Sequence, residues 1–92
     1  MSHYLKDPDA TSDHAIDWTD YLDGRTIVAS SWSVDPVETG GVAIVEASFD
    51  GGRTAVRLGG GIVGHAYRLA NHVTLSTGGS DDRSLELRVE QR

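Results

Sequence analysis

The sequence predicts an all-β fold, an antiparallel β-sandwich of about six to seven short strands. Three observations carry that expectation. Between Gly64 and Thr77, Tyr67, Leu69, Asn71, Val73 and Leu75 fall at every second position, with Arg68, Ala70, His72 and Thr74 between them. Side chains on a strand point alternately to opposite faces, so this is a long strand with one buried and one wet side. Turn chemistry recurs at short intervals, as in Asp23-Gly24, Asp35-Pro36, Asp50-Gly51-Gly52 and Gly59-Gly60-Gly61. No stretch keeps a helical period for more than a turn.

Taken in order, residues 1–12 are polar. Pro8 biases Asp7 toward extended geometry, so this segment reads as an extended arm preceding a single domain over 13–92. His14, Ile16 and Trp18 alternate with Ala15 and Asp17 as a short strand. Thr19 or Asp20 can cap a single helical turn, which Asp23-Gly24 ends. Thr26 to Val34 is rich in β-branched residues. Trp32 and Val34 share a face that excludes Ile27, so either Ile27 caps the end of the sandwich or a bulge resets the register; the bulge is preferred, near Ser30-Ser31. Val42 to Phe49 is apolar on both parities, and its facing is ambiguous by pattern. Asp50-Gly51-Gly52-Arg53 is a hairpin turn, after which Thr54, Val56 and Leu58 point inward. Thr77 to Asp82 is a further turn, and Leu85, Leu87 and Val89 form the inward face of a last strand.

Ninety-two residues make one domain, with a core just large enough to fold without staples. There is no cysteine, hence no disulfide and no thiolate metal site. No apolar run is long enough to span a bilayer, and the first residues lack the apolar core of a signal peptide. Fourteen acidic residues against eight Lys plus Arg give a net charge of −6, a balance that repels nucleic acid and anionic membranes. Arg83, Arg88 and Arg92 alternate with Asp82, Glu86 and Glu90, so they read as a mixed solvated face.

The candidate chemistry is sparse. His3, His14, His65 and His72 match no zinc spacing, and His65 and His72 have opposite parity on one strand. Asp7, Asp9 and Asp13 resemble the start of a calcium loop, but Trp18 stands where the terminal bidentate Glu belongs. The glycines at 59–61 precede a strand, and so lack the helix N-terminus of a phosphate loop. No catalytic, cofactor or metal residues are assigned, and the chain is expected not to be an enzyme. Asn71 is polar on a core parity and is expected to be satisfied structurally rather than to bind a ligand. Tyr21 beside Asp20 and Asp23 supports an alternative, a module for carbohydrate or another cell-surface ligand. Aromatics make up only 7% of the chain and the core needs most of them, which weakens that alternative.

Tyr67 stands at the start of the expected penultimate strand, with Leu69 two residues on and Trp32 on an earlier strand. Immunoglobulin-type sandwiches place a tyrosine, the second core cysteine and a central tryptophan in these positions. An apolar pair, Leu69 against Ile16 or Trp18, would then replace the disulfide. The expected core comprises Trp18, Trp32, Tyr67, Leu69, Asn71, Val73 and Leu87. A narrower likeness runs over nearly the whole chain, through Tyr4-Leu5-Lys6-Asp7-Pro8-Asp9-Ala10, Asp17-Trp18, Thr26-Ile27 and Ser30-Ser31-Trp32-Ser33-Val34. It continues through Ser48-Phe49-Asp50, Gly59-Gly60, Gly64 before Tyr67, Asn71 with Val73-Thr74, and Asp81-Asp82-Arg83-Ser84-Leu85 with Arg88-Val89. In these segments the chain resembles small virion proteins of tailed bacteriophages and prophages described as fibre–tail adaptors. It departs from them around Val37-Glu38-Thr39, which lacks a proline- and leucine-containing segment, and at Arg57, where an aromatic is common. The resemblance implies a non-enzymatic role in particle assembly, in the virion after a period in the host cytoplasm. The implied partners are other tail, neck or fibre proteins, with no nucleic acid and no membrane, and self-association within the particle stays open. Tyr4, Leu5, Lys6 and Asp7, two of them apolar on a polar arm, are the expected docking residues, ordering on assembly.

Overall fold

Alternation in the sequence becomes two packed sheets in the computed structural model, which describes residues 2–91. Met1 and Arg92, the last of the three arginines in the expected mixed face, lie outside the described residues, as does the side chain of His3. The elements are β1 (Ser2–Lys6), β2 (Ser12–Asp17), α1 (Thr19–Leu22), β3 (Ile27–Asp35), β4 (Ala43–Phe49), β5 (Arg53–Gly59), β6 (Ala66–Leu75) and β7 (Ser80–Val89). A four-stranded sheet runs β1-β7-β6-β3 and a three-stranded sheet runs β2-β5-β4. All pairings are antiparallel except β1 with β7, which is parallel. The fold is a β-sandwich, as the alternation predicts.

The long alternating stretch is β6, second from one edge, with Tyr67, Leu69, Asn71, Val73 and Leu75 all 1% exposed or less. Thr54, Val56 and Leu58 of β5 and Leu85, Leu87 and Val89 of β7 complete the inward faces. The last turn is shorter than expected: β7 begins at Ser80, so Asp81 and Asp82 are strand residues paired with Val73 and His72. The helical turn forms at Thr19–Leu22 with Trp18 at the N-cap position and no side-chain cap, so neither Thr19 nor Asp20 caps it. Asp17 Oδ1 accepts the Thr19 backbone N–H at 3.0 Å and the Thr19 hydroxyl at 2.6 Å.

The register reset in β3 falls between Ile27 and Ala29, two residues earlier than Ser30-Ser31. It turns Ile27 into the core at 4% exposure and leaves Val28 outside at 55%. A second shift lies between Ile44 and Glu46 of β4. Gly60 needs its glycine: φ is +72°, and an added Cβ would meet the Gly41 carbonyl oxygen at 2.6 Å.

The core is divided by a polar layer. On one side lie Val42, Val56, Leu58, Tyr67, Leu69, Leu85, Leu87 and Val89, with Trp32 and Val34 packed against them. On the other lie Trp18, Leu22, Ile27, Val73 and Leu75, with Ile16 and Tyr21 alongside. Leu69 therefore does not pair with Ile16 or Trp18 as expected, because Asn71 stands between those clusters on the same strand. Its Oδ1 accepts from Trp18 Nε1 at 3.1 Å and from Thr54 Oγ1 at 2.7 Å. Its Nδ2 donates to Ser30 Oγ at 3.0 Å and to the Ser31 carbonyl at 2.9 Å. The amide is wholly satisfied, and it ties the two sheets together through their centre.

Candidate partner-binding surfaces

The sandwich leaves two edges to solvent, one at β1 and β2 and the other at β3 and β4. At the first, residues expected as an extended arm preceding the domain are held in the four-stranded sheet, Tyr4 opposite Leu87 and Lys6 opposite Val89. Tyr4 is 41% exposed and lies edge-on to His14, with ring centroids 4.8 Å apart, while Leu5 is 57% exposed. Asp7 Oδ1 accepts the Asp9 N–H at 2.8 Å, which shapes the turn after β1.

Lys6 differs from the expectation of a docking residue: it is 2% exposed. Its ammonium donates to the carbonyls of Asp7 at 2.9 Å, Ala10 at 2.5 Å and Gly60 at 2.6 Å. Three carbonyls for three N–H donors make the burial tolerable. Burial still lowers the Lys6 pKa, against the opposing charges of Asp7 and Asp9. Lys6 thus fastens β1, the following turn and the glycine loop together from inside the chain.

The second edge is open. Every residue of β4 is exposed, including Ile44 at 38%, Phe49 at 44% and Val45 at 61%. β4 contacts β3 across the layers. On β3 the Trp32 ring packs against the core, and its indole N–H is buried without an acceptor. On these two strands Val28, Ile44, Val45 and Phe49 are exposed. On the outer face of the three-stranded sheet, a shallow trough of about 460 Å³ runs over Ala15, Ala55 and Ser48. Its wall holds Arg57 between Asp13 at 2.8 Å and Glu46 at 3.6 Å.

The remaining candidates are engaged elsewhere. Tyr21 does not face Asp20 and Asp23 as a free platform; it packs edge-on to Trp18, with Arg25 and Arg83 within 5.7 Å of its ring. Arg83 also stacks 4.3 Å over Trp18. Tyr67 donates its hydroxyl proton to Glu38 Oε1 at 2.5 Å and accepts the Ile62 N–H at 3.4 Å. His65 Nδ1 donates to the same Glu38 oxygen at 2.9 Å. These bonds, led by that from Tyr67, hold the Glu38 carboxyl below the usual range, while burial and then Glu38 push the Tyr67 phenol up. His72 Nδ1 pairs with Asp82 at 2.6 Å and His14 Nε2 lies 3.1 Å from the Ser12 hydroxyl. Among the described residues no three His, Cys, Asp or Glu side chains gather to hold a metal ion.

A search of curated proteins finds no match to this chain. Its residues 6–88 match the family described as podophage GP4 fiber-tail adaptor protein gp77. That span takes in both sheets and the polar layer, starting at the Lys6 anchor, and leaves Tyr4 and Leu5 before it. The chain belongs to the podophage GP4 fiber-tail adaptor protein gp77 family.

Proposed function

We propose that the chain acts in the virion as a non-enzymatic link between tail, neck or fibre proteins, working through protein–protein contacts alone. It is made in the host cytoplasm and joins the particle from there. The family match over residues 6–88 carries this reading. The two exposed edges of the sandwich support it, since a linker needs two separate faces. We infer further that the sandwich is immunoglobulin-like. Supporting this, β3-β6-β7 and β2-β5-β4 follow the C-F-G and B-E-D orders of such domains, with β1 beside β7 in place of β2, and Tyr67 starts the penultimate strand with its hydroxyl bonded back to Ile62.

Residues 1–12 supply one docking side, through the exposed Tyr4 and Leu5 on β1. Deleting the segment would be a poor test, because it removes the buried Lys6 with its three bonds. Leu5→Glu changes only an exposed side chain. It should leave thermal stability within about 0.5 kcal/mol of the original and reduce incorporation into particles at least about tenfold, read by mass spectrometry of purified phage. Incorporation at the original level would overturn the assignment of this side.

A further inference from the structure

The β4 edge has a specific chemistry. The hairpin closes with the Asp50 N–H donating to the Arg53 carbonyl at 2.9 Å. Antiparallel bonding alternates along a strand, and β4 pairs Ser48 with Ala55 and Glu46 with Arg57. Ser48 and Glu46 therefore bond to β5, and the backbone groups of Ala47 and Phe49 point away from the sheet. Beyond the bulge at Val45, this run is regular. Edge strands are commonly blunted with lysine or proline, and β4 contains neither. On the inner side, Phe49 and Ala47 share a face with Thr54 and Val56.

Charge selects the occupant. From Thr26 to Gly52 the chain holds Asp35, Glu38, Glu46 and Asp50 and no Lys, Arg or His, and Arg57 of β5 meets one of these acids, Glu46, at 3.6 Å. A second copy laid along β4 would bring the same acids against these, on a molecule already at −6. A partner segment alternating apolar residues with Lys or Arg meets the exposed backbone, the exposed apolar side chains and the acidic balance of this stretch together. We propose that β4 accepts, as an added strand along Glu46–Phe49, an extended basic segment of a partner protein. This deepens the adaptor reading and rests on it.

The test uses the full chain and a short blocked peptide alternating Lys with Val and Thr, beside a matched peptide with Glu in place of Lys. The basic peptide should bind at least about tenfold more tightly and slow hydrogen exchange of the Ala47 and Phe49 amides. Ala47→Pro removes one outward N–H from an edge strand, where proline is tolerated. It should keep the fold, checked by its melting temperature, and lose both effects. Equal binding of the two peptides, or protection at other amides, would overturn the proposal. So would protection of Ala47 and Phe49 that grows with protein concentration alone, which is self-pairing. Particles that take up Ala47→Pro at the original level would sink the β4 site and leave the adaptor reading standing.

Discussion

β6 buries Tyr67, Leu69, Val73 and Leu75 to 1% exposure or less, whereas β4, equally rich in apolar side chains, leaves Ile44, Val45 and Phe49 between 38% and 61% exposed. The difference is position. β6 has β7 on one side and β3 on the other, and its inward face meets the second sheet. β4 has β5 on one side and no hydrogen-bonded strand on the other. Apolar content of one strand works for the core, and that of the other is available to something else. The most direct way to break the comparison is to truncate both. Leu69→Ala should cost about 2–5 kcal/mol in denaturant unfolding, from lost burial and the cavity left behind. Val45→Ala should cost less than about 1 kcal/mol. Equal losses would mean that β4 supports the core after all.

Asn71→Leu sharpens the same contrast at the centre of β6. The leucine would leave the Trp18 indole N–H without its 3.1 Å acceptor and the Thr54 hydroxyl without its 2.7 Å one. At about 1–3 kcal/mol for an unsatisfied buried group, partly offset by added apolar burial, a loss of about 2 kcal/mol is expected. In a domain of this size that lowers the melting temperature by roughly 10 °C. No loss would show that the polar layer does not support the fold.

β5, β6 and β7 were legible in the sequence because each presents one face to a single core, so parity and burial coincide. β4 was not, since its pattern is apolar on both parities and sheet order is invisible to local periodicity. Parity also announced that β3 must reset between Ile27 and Trp32, without saying where; ejecting Val28 does it in one step. Lys6 sits in a polar segment and reads as solvated. Its burial depends on Gly60, 54 residues away, which no local pattern contains. The family was legible through its scattered short segments. The open edge was not, because an edge is defined by a missing neighbour.

The smallest expected effect concerns Glu38, which joins the loop before β4 to the start of β6 through Tyr67 and His65. Its carboxyl is held below the ordinary range of a glutamate, chiefly by the Tyr67 hydroxyl. The ionised form is therefore favoured in the folded chain. Its contribution is complete above the unfolded value and is lost as pH falls through the lower folded value. Asp13, Asp17 and Asp81 are shifted the same way, so acid destabilises the whole molecule and the pH profile of the original chain alone cannot isolate Glu38. Glu38→Gln can, because it keeps an oxygen for the Tyr67 hydroxyl and removes the charge. The melting temperatures of the two chains should differ most near about pH 6 and converge below the carboxylate range. A gap that stays constant with pH would mean that Glu38 acts through its shape and hydrogen bonds, and that its charge contributes nothing to holding β6 beside the open edge.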